Sequence, residues 1–308
     1  MNPSKETPVI CWWSGGITSA VACKICLDTW GIENCRVIMI DTYNEDEDTY
    51  RFKSDCEKWY GCPIEAITGI KVPQLHTHLE QKLAADYNTH TWEFIQVHGK
   101  GYWSIQDVWE EFESLNSATG AICSSNLKRE VRKDWQRKNQ YCAQAFGFDS
   151  SEIKRAVNIK DNYPQSKPIF PLLLFCYSKK DCIKIVQNAG IEVPRMYQLG
   201  FHNNNCFKTG CVQGGIGYWQ KMQREFPDKF LAMAEMEHKL TNLKGKPVTC
   251  LKDQSGEAKE SGIELVFLLP HPDYPKHKDV SMMKGREVEP LVECNGFCGT
   301  DENGKTKF

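Results

Sequence analysis

Three times before residue 70 an apolar run of this 308-residue chain gives way to a turn or helix, and this alternation constrains the fold more than any other feature. Pro8–Trp13 leads into Ser14-Gly15-Gly16 and then the helix-like Ala20-Val21-Ala22-Cys23-Lys24. Arg36–Thr42 precedes a helix over about Glu45–Tyr60, and Pro63–Ile67 opens the next unit. Such alternation predicts a parallel sheet with helices on its faces. Tyr141–Phe148 and Pro168–Phe175 supply a fourth and a fifth strand. In such a sheet ligands gather beyond the strand C-termini, at the point where strand order reverses. That is where the Ser14 turn, Asp41-Thr42 and the segment around Gly147 are expected to meet.

The Ser14–Ser19 segment (Ser14-Gly15-Gly16-Ile17-Thr18-Ser19) has the composition of a phosphate cradle. A buried strand that breaks at paired glycines and restarts as a helix leaves backbone N–H groups and a positive dipole end facing outward. Gly15 and Gly16 permit close approach, and the hydroxyls of Ser14, Thr18 and Ser19 can donate to phosphate oxygens. A plain strand-to-helix turn fits the same residues equally well, so the surroundings must decide.

With 41% hydrophobic and 25% charged residues the chain is ordinary globular material, and a net charge of -2 gives no global attraction to nucleic acid or anionic membrane. The apolar run after Thr7 is too short for a signal peptide, and Pro168–Tyr177 is too short for a membrane helix. A cytoplasmic protein is the expectation. Its fifteen cysteines then point to metal ligation, catalysis or buried thiols rather than disulfides.

Three regions are expected: an α/β domain over residues 1–175, a helical Cys-containing region over 176–245, and a polar tail over 246–308 with a strand-like run at Ile263–Leu268. Residues 69–117, with His76, His78, His90, Trp92, His98, Trp103 and Trp109, read as an insertion over the sheet, either a lid or a packed excursion with surface histidines. A helix over Asn126–Asn139 gathers Lys128, Arg129, Arg132, Lys133, Arg137 and Lys138 into the one basic patch, a solvated face or a polyanion contact. Lys179–Ala189 and Tyr218–Leu240 are the longest helical periods beyond it. Gly299–Thr306 matches the Walker A pattern by letter, but no buried strand precedes it and only Lys307 and Phe308 follow, so the match is accidental.

The Ser14-Gly15-Gly16 turn, Asp41-Thr42 with Asp48-Thr49-Tyr50-Arg51-Phe52, and a late block together resemble the phosphoadenosine phosphosulfate (PAPS) reductase family. The late block runs through Pro171-Leu172, Ser178–Asp181, Ala189–Pro194, Tyr197, Gly200-Phe201, Cys206 and Cys211. The family belongs to the adenine nucleotide alpha hydrolase-like, N-type ATP pyrophosphatase superfamily. The resemblance implies a Rossmann-like (HUP-type) parallel sheet with helices on both faces, and a mainly helical Cys-containing C-terminal region. It implies ATP or PAPS held by Ser14, Gly15, Gly16, Thr18 and Ser19, with Asp41, Thr42 and Gly147 around the adenosine and magnesium where pyrophosphate is cleaved. Two departures stand out. Thr18 replaces the Asp usual in that loop, and the C-terminal Glu293-Cys294-Asn295-Gly296-Phe297-Cys298 keeps the family's Glu-Cys step without its His.

Cys123, Cys206 and Cys211 lie where cluster-bearing relatives carry cysteines, which implies a 4Fe-4S cluster completed by Cys294, Cys298 or His202. Zinc held by Cys206, Cys211, Cys294 and Cys298, or thiols without metal, are the alternatives. The expected function is PAPS reductase-like chemistry on a bound adenine nucleotide. In one form an acceptor is adenylated and then receives sulfur, with Lys128 holding oxyanion charge. In the other Cys294 or Cys298 attacks the sulfate sulfur of PAPS. A nucleic-acid acceptor or a reductant protein would be the partner. An inactive nucleotide-binding regulatory or partner module is the alternative, and Thr18 is the residue behind it.

Overall fold

The computed structural model describes residues 2–71, 96–118 and 120–288. Its centre is a six-stranded sheet in which every pairing is parallel: β1 (Val9–Trp12), β2 (Cys35–Asp41), β3 (Ile64–Ile70), β4 (Val97–Tyr102), β5 (Ala143–Ala145) and β6 (Pro168–Ile169). The spatial order is β4-β3-β2-β1-β5-β6, with Val9 of β1 in register with Cys35 on one side and Ala143 on the other. Order therefore reverses between β1 and β5, which makes that crevice the switch point.

Both faces of the sheet are apolar, as a helix-covered parallel sheet requires. Val9, Cys11 and Trp13 pack with α1 (Ile17–Trp30), α2 (Glu47–Tyr60) and α6 (Lys179–Asn188). The alternate residues Ile10 and Trp12 pack with α4 (Glu130–Lys138) and α5 (Ile153–Asn162) on the opposite face. Local chemistry sets the helix ends. The Asp46 carboxylate accepts from the Asp48 N–H at 3.1 Å to start α2, and Gly61 ends it in the left-handed region at φ 72°. Glu47 and Asp48 add favourable charge at the dipole's positive end.

A third core joins α3 (Ile105–Glu111) to the C-terminal half, where Met196, Phe207, Tyr218 and Trp219 are buried with Val248, Leu251, Val266, Leu268 and Val280. The longest helices there are α7 (Ile216–Glu225) and α8 (Pro227–Lys244), followed by an antiparallel pair, β7 (Leu251–Lys252) and β8 (Leu265–Val266).

Several expected boundaries move. Pro168–Phe175 is a strand only at Pro168–Ile169; Pro171 then opens a helical turn through Leu174, because its fixed φ and missing N–H suit a first helical position. Tyr218–Leu240 is two helices, broken at Phe226-Pro227, since Pro227 disfavours helical backbone at the residue before it. The described part of the 69–117 insertion includes a sheet strand, β4, which pairs Val97 with Thr68 and Tyr102 with Ile70. Gly99 and Gly101, at φ 76° and 77°, and the buried His98 hid its pattern. His98 bonds Asp134 at 3.0 Å and ties β4 to α4, so it is not a surface histidine. His76, His78, His90 and Trp92 lie outside the described residues. Residues 246–288, read as part of a polar tail, place Val248, Leu251, Val266, Phe267, Leu268 and Val280 in the core.

Candidate functional site

The Ser14 turn joins β1 to α1 at the switch point. Gly15 takes φ 84°, and a Cβ on it would stand 2.8 Å from Thr49 Cγ2. The N-cap of α1 is Gly16, which brings no capping side chain of its own, and the helix dipole faces the crevice. Ser19 plays a different part from the one expected. Ser19 Oγ donates to the Gly16 carbonyl at 2.8 Å and accepts from Ser14 N and Ser14 Oγ, each at 3.0 Å. Ser19 is 2% exposed and its hydroxyl closes the turn, so it shapes the loop. Gly147 also has a packing reason: a Cβ there would lie 2.5 Å from the Ser19 N and Cα atoms. It lets β5 close against the first turn of α1.

The C-terminal half completes the turn. Tyr197 OH accepts from Ile17 N at 3.3 Å, and Asn204 Nδ2 donates to the Gly15 carbonyl at 3.0 Å and to Thr49 Oγ1 at 3.1 Å. Thr18 Oγ1, Asn203 Oδ1, Asn204 Oδ1 and both polar atoms of the Asn205 side chain are buried with no hydrogen-bond partner among the described residues. An unmet buried polar group costs about 1–3 kcal/mol, so such a cluster beside a glycine turn marks a place where a ligand or ordered water completes the structure. Sequence reasoning missed these asparagines. The only signal was the run Asn203-Asn204-Asn205 immediately before Cys206.

Beyond β2, Asp41 Oδ1 accepts from Tyr43 N at 2.7 Å and from Tyr50 OH at 3.0 Å. Burial nevertheless raises its pKa, against those donors and Lys128. Tyr43 is held at φ 53° and Cys206 at φ 64°, left-handed conformations that side chains rarely adopt and that concentrate at functional sites. Glu45, also missed in the sequence, explains the second. Its Oε2 accepts from Cys206 N at 2.8 Å, its Oε1 accepts from Thr42 Oγ1 at 3.2 Å and lies 3.9 Å from Lys128 Nζ. Glu45 is 1% exposed, and burial raises its pKa more than Lys128 lowers it.

Cys123, Cys206, Cys211, Lys128 and Thr42 line one small cavity of about 30 Å³. Tyr218 OH accepts from Cys211 N at 3.0 Å, and the buried rings of Phe201 and Phe207, 4.9 Å apart, hold the Cys206 loop. Cys250 enters the same neighbourhood, where burial and then Glu237 push its thiol pKa up. The thirteen described cysteines are thiols. Among the described residues, no three His, Cys, Asp or Glu are arranged to hold a metal ion, and two of the further ligands expected beside Cys123, Cys206 and Cys211, Cys294 and Cys298, lie outside them. His202 is exposed outside this cavity, its carbonyl accepting from Lys179 Nζ at 2.9 Å. Cys294, Cys298 and the Gly299–Thr306 match lie outside the described residues.

The basic patch is partly internal. Lys128 and Arg132 are 7% and 2% exposed, and Arg132 stacks on Tyr163. Arg137 and Lys138 pair with Asp134. The segment begins as a π-helical stretch over Ser125–Arg129, a form frequent at functional sites, which turns Lys128 inward. Among the described residues no helix is long and apolar enough to cross a membrane. No protein-family model matches the chain, and no curated protein matches it.

Proposed function

We propose that this chain is a PAPS reductase-like enzyme of the HUP-type N-type ATP pyrophosphatase superfamily, binding ATP or a sulfated adenine nucleotide at the Ser14 turn for sulfur-related chemistry. The observation that carries the reading is the small cavity that brings Cys123, Cys206, Cys211 and Lys128 together with Thr42 at the end of β2. Thiols and a cation beside a nucleotide-type turn are what sulfur transfer needs. The unmet polar groups of Thr18 and Asn203–Asn205 support a ligand at the turn itself.

Two reactions fit. In the first, an acceptor oxygen attacks the α-phosphorus of ATP and pyrophosphate leaves. Hydrosulfide, supplied as the sulfur donor, then attacks the acceptor carbon; the new C–S bond forms as the C–O bond breaks, and AMP leaves. Lys128 and loop N–H groups would hold the oxyanion charge. In the second, a Cys thiolate attacks the sulfate sulfur of PAPS, breaking the S–O bond and releasing adenosine bisphosphate. A second thiol attacks the thiosulfonate, leaving a disulfide and sulfite. Cys294 and Cys298 are the proposed pair.

A cluster or zinc held by Cys123, Cys206 and Cys211 would need a further ligand such as Cys294 or Cys298, and would supply sulfur or fix the thiolates beside Lys128. The second reading, a nucleotide-binding module without turnover, is favoured by Thr18, whose buried hydroxyl stands where a carboxylate is expected.

Incubation with ATP and with PAPS under anaerobic conditions separates these readings. AMP with pyrophosphate supports adenylation, and sulfite supports reduction. Tight binding with no product from either nucleotide supports the module and removes the enzyme. Gly16→Val should abolish nucleotide binding, because φ -92° at Gly16 accepts a β-branched residue while the new isopropyl group crowds the cradle, and a retained cooperative melt shows that the loss is not unfolding. Intact binding in that variant overturns the site assignment.

A further inference from the structure

A second cavity, of about 290 Å³, shares Thr42, Ile105 and Trp109 with the thiol-lined one. It lies beyond the ends of β2 and β3, between the β4–α3 turn and α8, and neither Ser14–Ser19 nor Gly147 is among its described walls. The phosphate cradle sits at the β1/β5 crevice, and Thr42, expected beside the adenosine there, is the residue of that site that this cavity shares. Its volume is at the lower end of small-molecule sites, which run from roughly 300 to 1,000 Å³.

The walls suit a flat, polarisable ring. Met233 and Met236 offer thioethers and Trp109 an indole, side chains that pack well against aromatic faces. Trp103 stands at the mouth 61% exposed, with Lys71 Nζ 5.3 Å from its ring centroid. Polar side chains line it as well, Asn44, Ser104, Gln106, Lys208 and Thr209 among them. Asn44 is 3% exposed; its Nδ2 donates to Thr209 Oγ1 at 2.8 Å, which leaves Oδ1 without a hydrogen bond among the described residues. The Trp109 Nε1–H is likewise buried with no partner among them. Lys208 Nζ donates to the Tyr43 carbonyl at 2.9 Å, which places one cation at the wall, and Lys71 places another at the mouth.

A slot with indole and thioether walls, polar side chains between them and cations at its edge matches a heteroaromatic base that carries a phosphate. We infer that this cavity is a second binding site that takes a nucleobase bearing a phosphate, either as a free nucleotide or as one base of a single strand. Through the shared wall of Thr42, Ile105 and Trp109, the base would lie next to Cys123, Cys206, Cys211 and Lys128. Its role as the acceptor for sulfur rests on the function proposed above; its binding does not.

The test is equilibrium binding to the full chain of the four nucleoside 5′-monophosphates and of a single-stranded RNA octamer of mixed sequence, with ATP as a separate probe of the cradle. Two variants address the cavity. Trp103→Ala removes an exposed ring, and Ala232→Trp fills the cavity from an exposed wall position on α8 without opening the core. Base stacking is worth about 1–3 kcal/mol, so Trp103→Ala should weaken binding by roughly 5- to 150-fold. Ala232→Trp should weaken it too, and Gly16→Val should leave it unchanged. Binding of the octamer alone assigns the base to nucleic acid, and binding of a monophosphate alone assigns it to a free nucleotide.

The inference is overturned if no probe binds, if both cavity variants bind as the parent does, or if Gly16→Val removes the same binding. Failure of ATP to bind would count against the proposed function and leave this second site standing.

Discussion

Glu237 is fully buried on α8, where its two oxygens accept from Cys250 N at 2.6 Å and Leu268 N at 2.7 Å. Burial outweighs those donors and pushes its pKa from 4.5 up to about 8. Between those values the folded chain keeps a proton that the unfolded chain releases. The stabilisation is therefore complete below pH 4.5 and is lost as pH rises through about 8, with a slope of up to about 1.4 kcal/mol per pH unit. Glu237→Gln, neutral throughout, should flatten that slope between pH 5 and 8 in urea melts, and parallel pH profiles would refute the assignment. At this scale the sequence was legible where backbone geometry dictates the residue, as at Gly15 with its φ of 84°. It was illegible where a side chain's partner is distant. Nothing in the sequence near Glu45 announces Cys206 N, and nothing near Ser19 says that its hydroxyl closes its own turn.

Among elements, the contact between the start of α2 and the Pro194–Gln198 turn binds the two halves of the site together. Arg195 Nη2 reaches both oxygens of Asp46 at 2.7 Å, and Arg195 N donates to Asp48 Oδ2 at 2.6 Å. Asp46 is buried, but the Arg195 side chain is 53% exposed, and Lys229 Nζ stays 3.7 Å from the same carboxylate. Arg195→Ala should therefore cost roughly 1–2 kcal/mol, less than the roughly 3–5 of a fully buried pair. Amide exchange should quicken at the first turn of α2 and at Asn203–Asn205, whose Asn204 spans Gly15 and Thr49. Unchanged protection there would mean that the strap does not hold the turn. Elements of strong period were read correctly: β1, β2, α2 and α6 stand where their apolar patterns place them. Those that differ have local causes, such as Pro171 converting an apolar run into a helical turn and glycines masking β4.

At the scale of the molecule, the third core decides where the chain can be cut. Composition from Gly245 onward reads as polar, because its apolar residues are spaced between Lys, Asp and Gly rather than in one periodic run. Folding nonetheless buries six of the larger ones, Val248, Leu251, Val266, Phe267, Leu268 and Val280, four at 1% exposure or less. Phe267 also packs on His271 at 5.2 Å, and the backbone N–H groups of Cys250 and Leu268 satisfy the Glu237 carboxylate. At roughly 1.5–3 kcal/mol for each large buried side chain, these six match the whole stability of a typical domain, about 5–15 kcal/mol. Removing them would also leave Glu237 without donors inside the remaining core. A chain ended after Gly245 should therefore fail to give a cooperative thermal transition and should accumulate as insoluble material. If that truncation is soluble, melts cooperatively and binds ATP as the full chain does, then the segment is an accessory layer, and the site at the Ser14 turn stands without it.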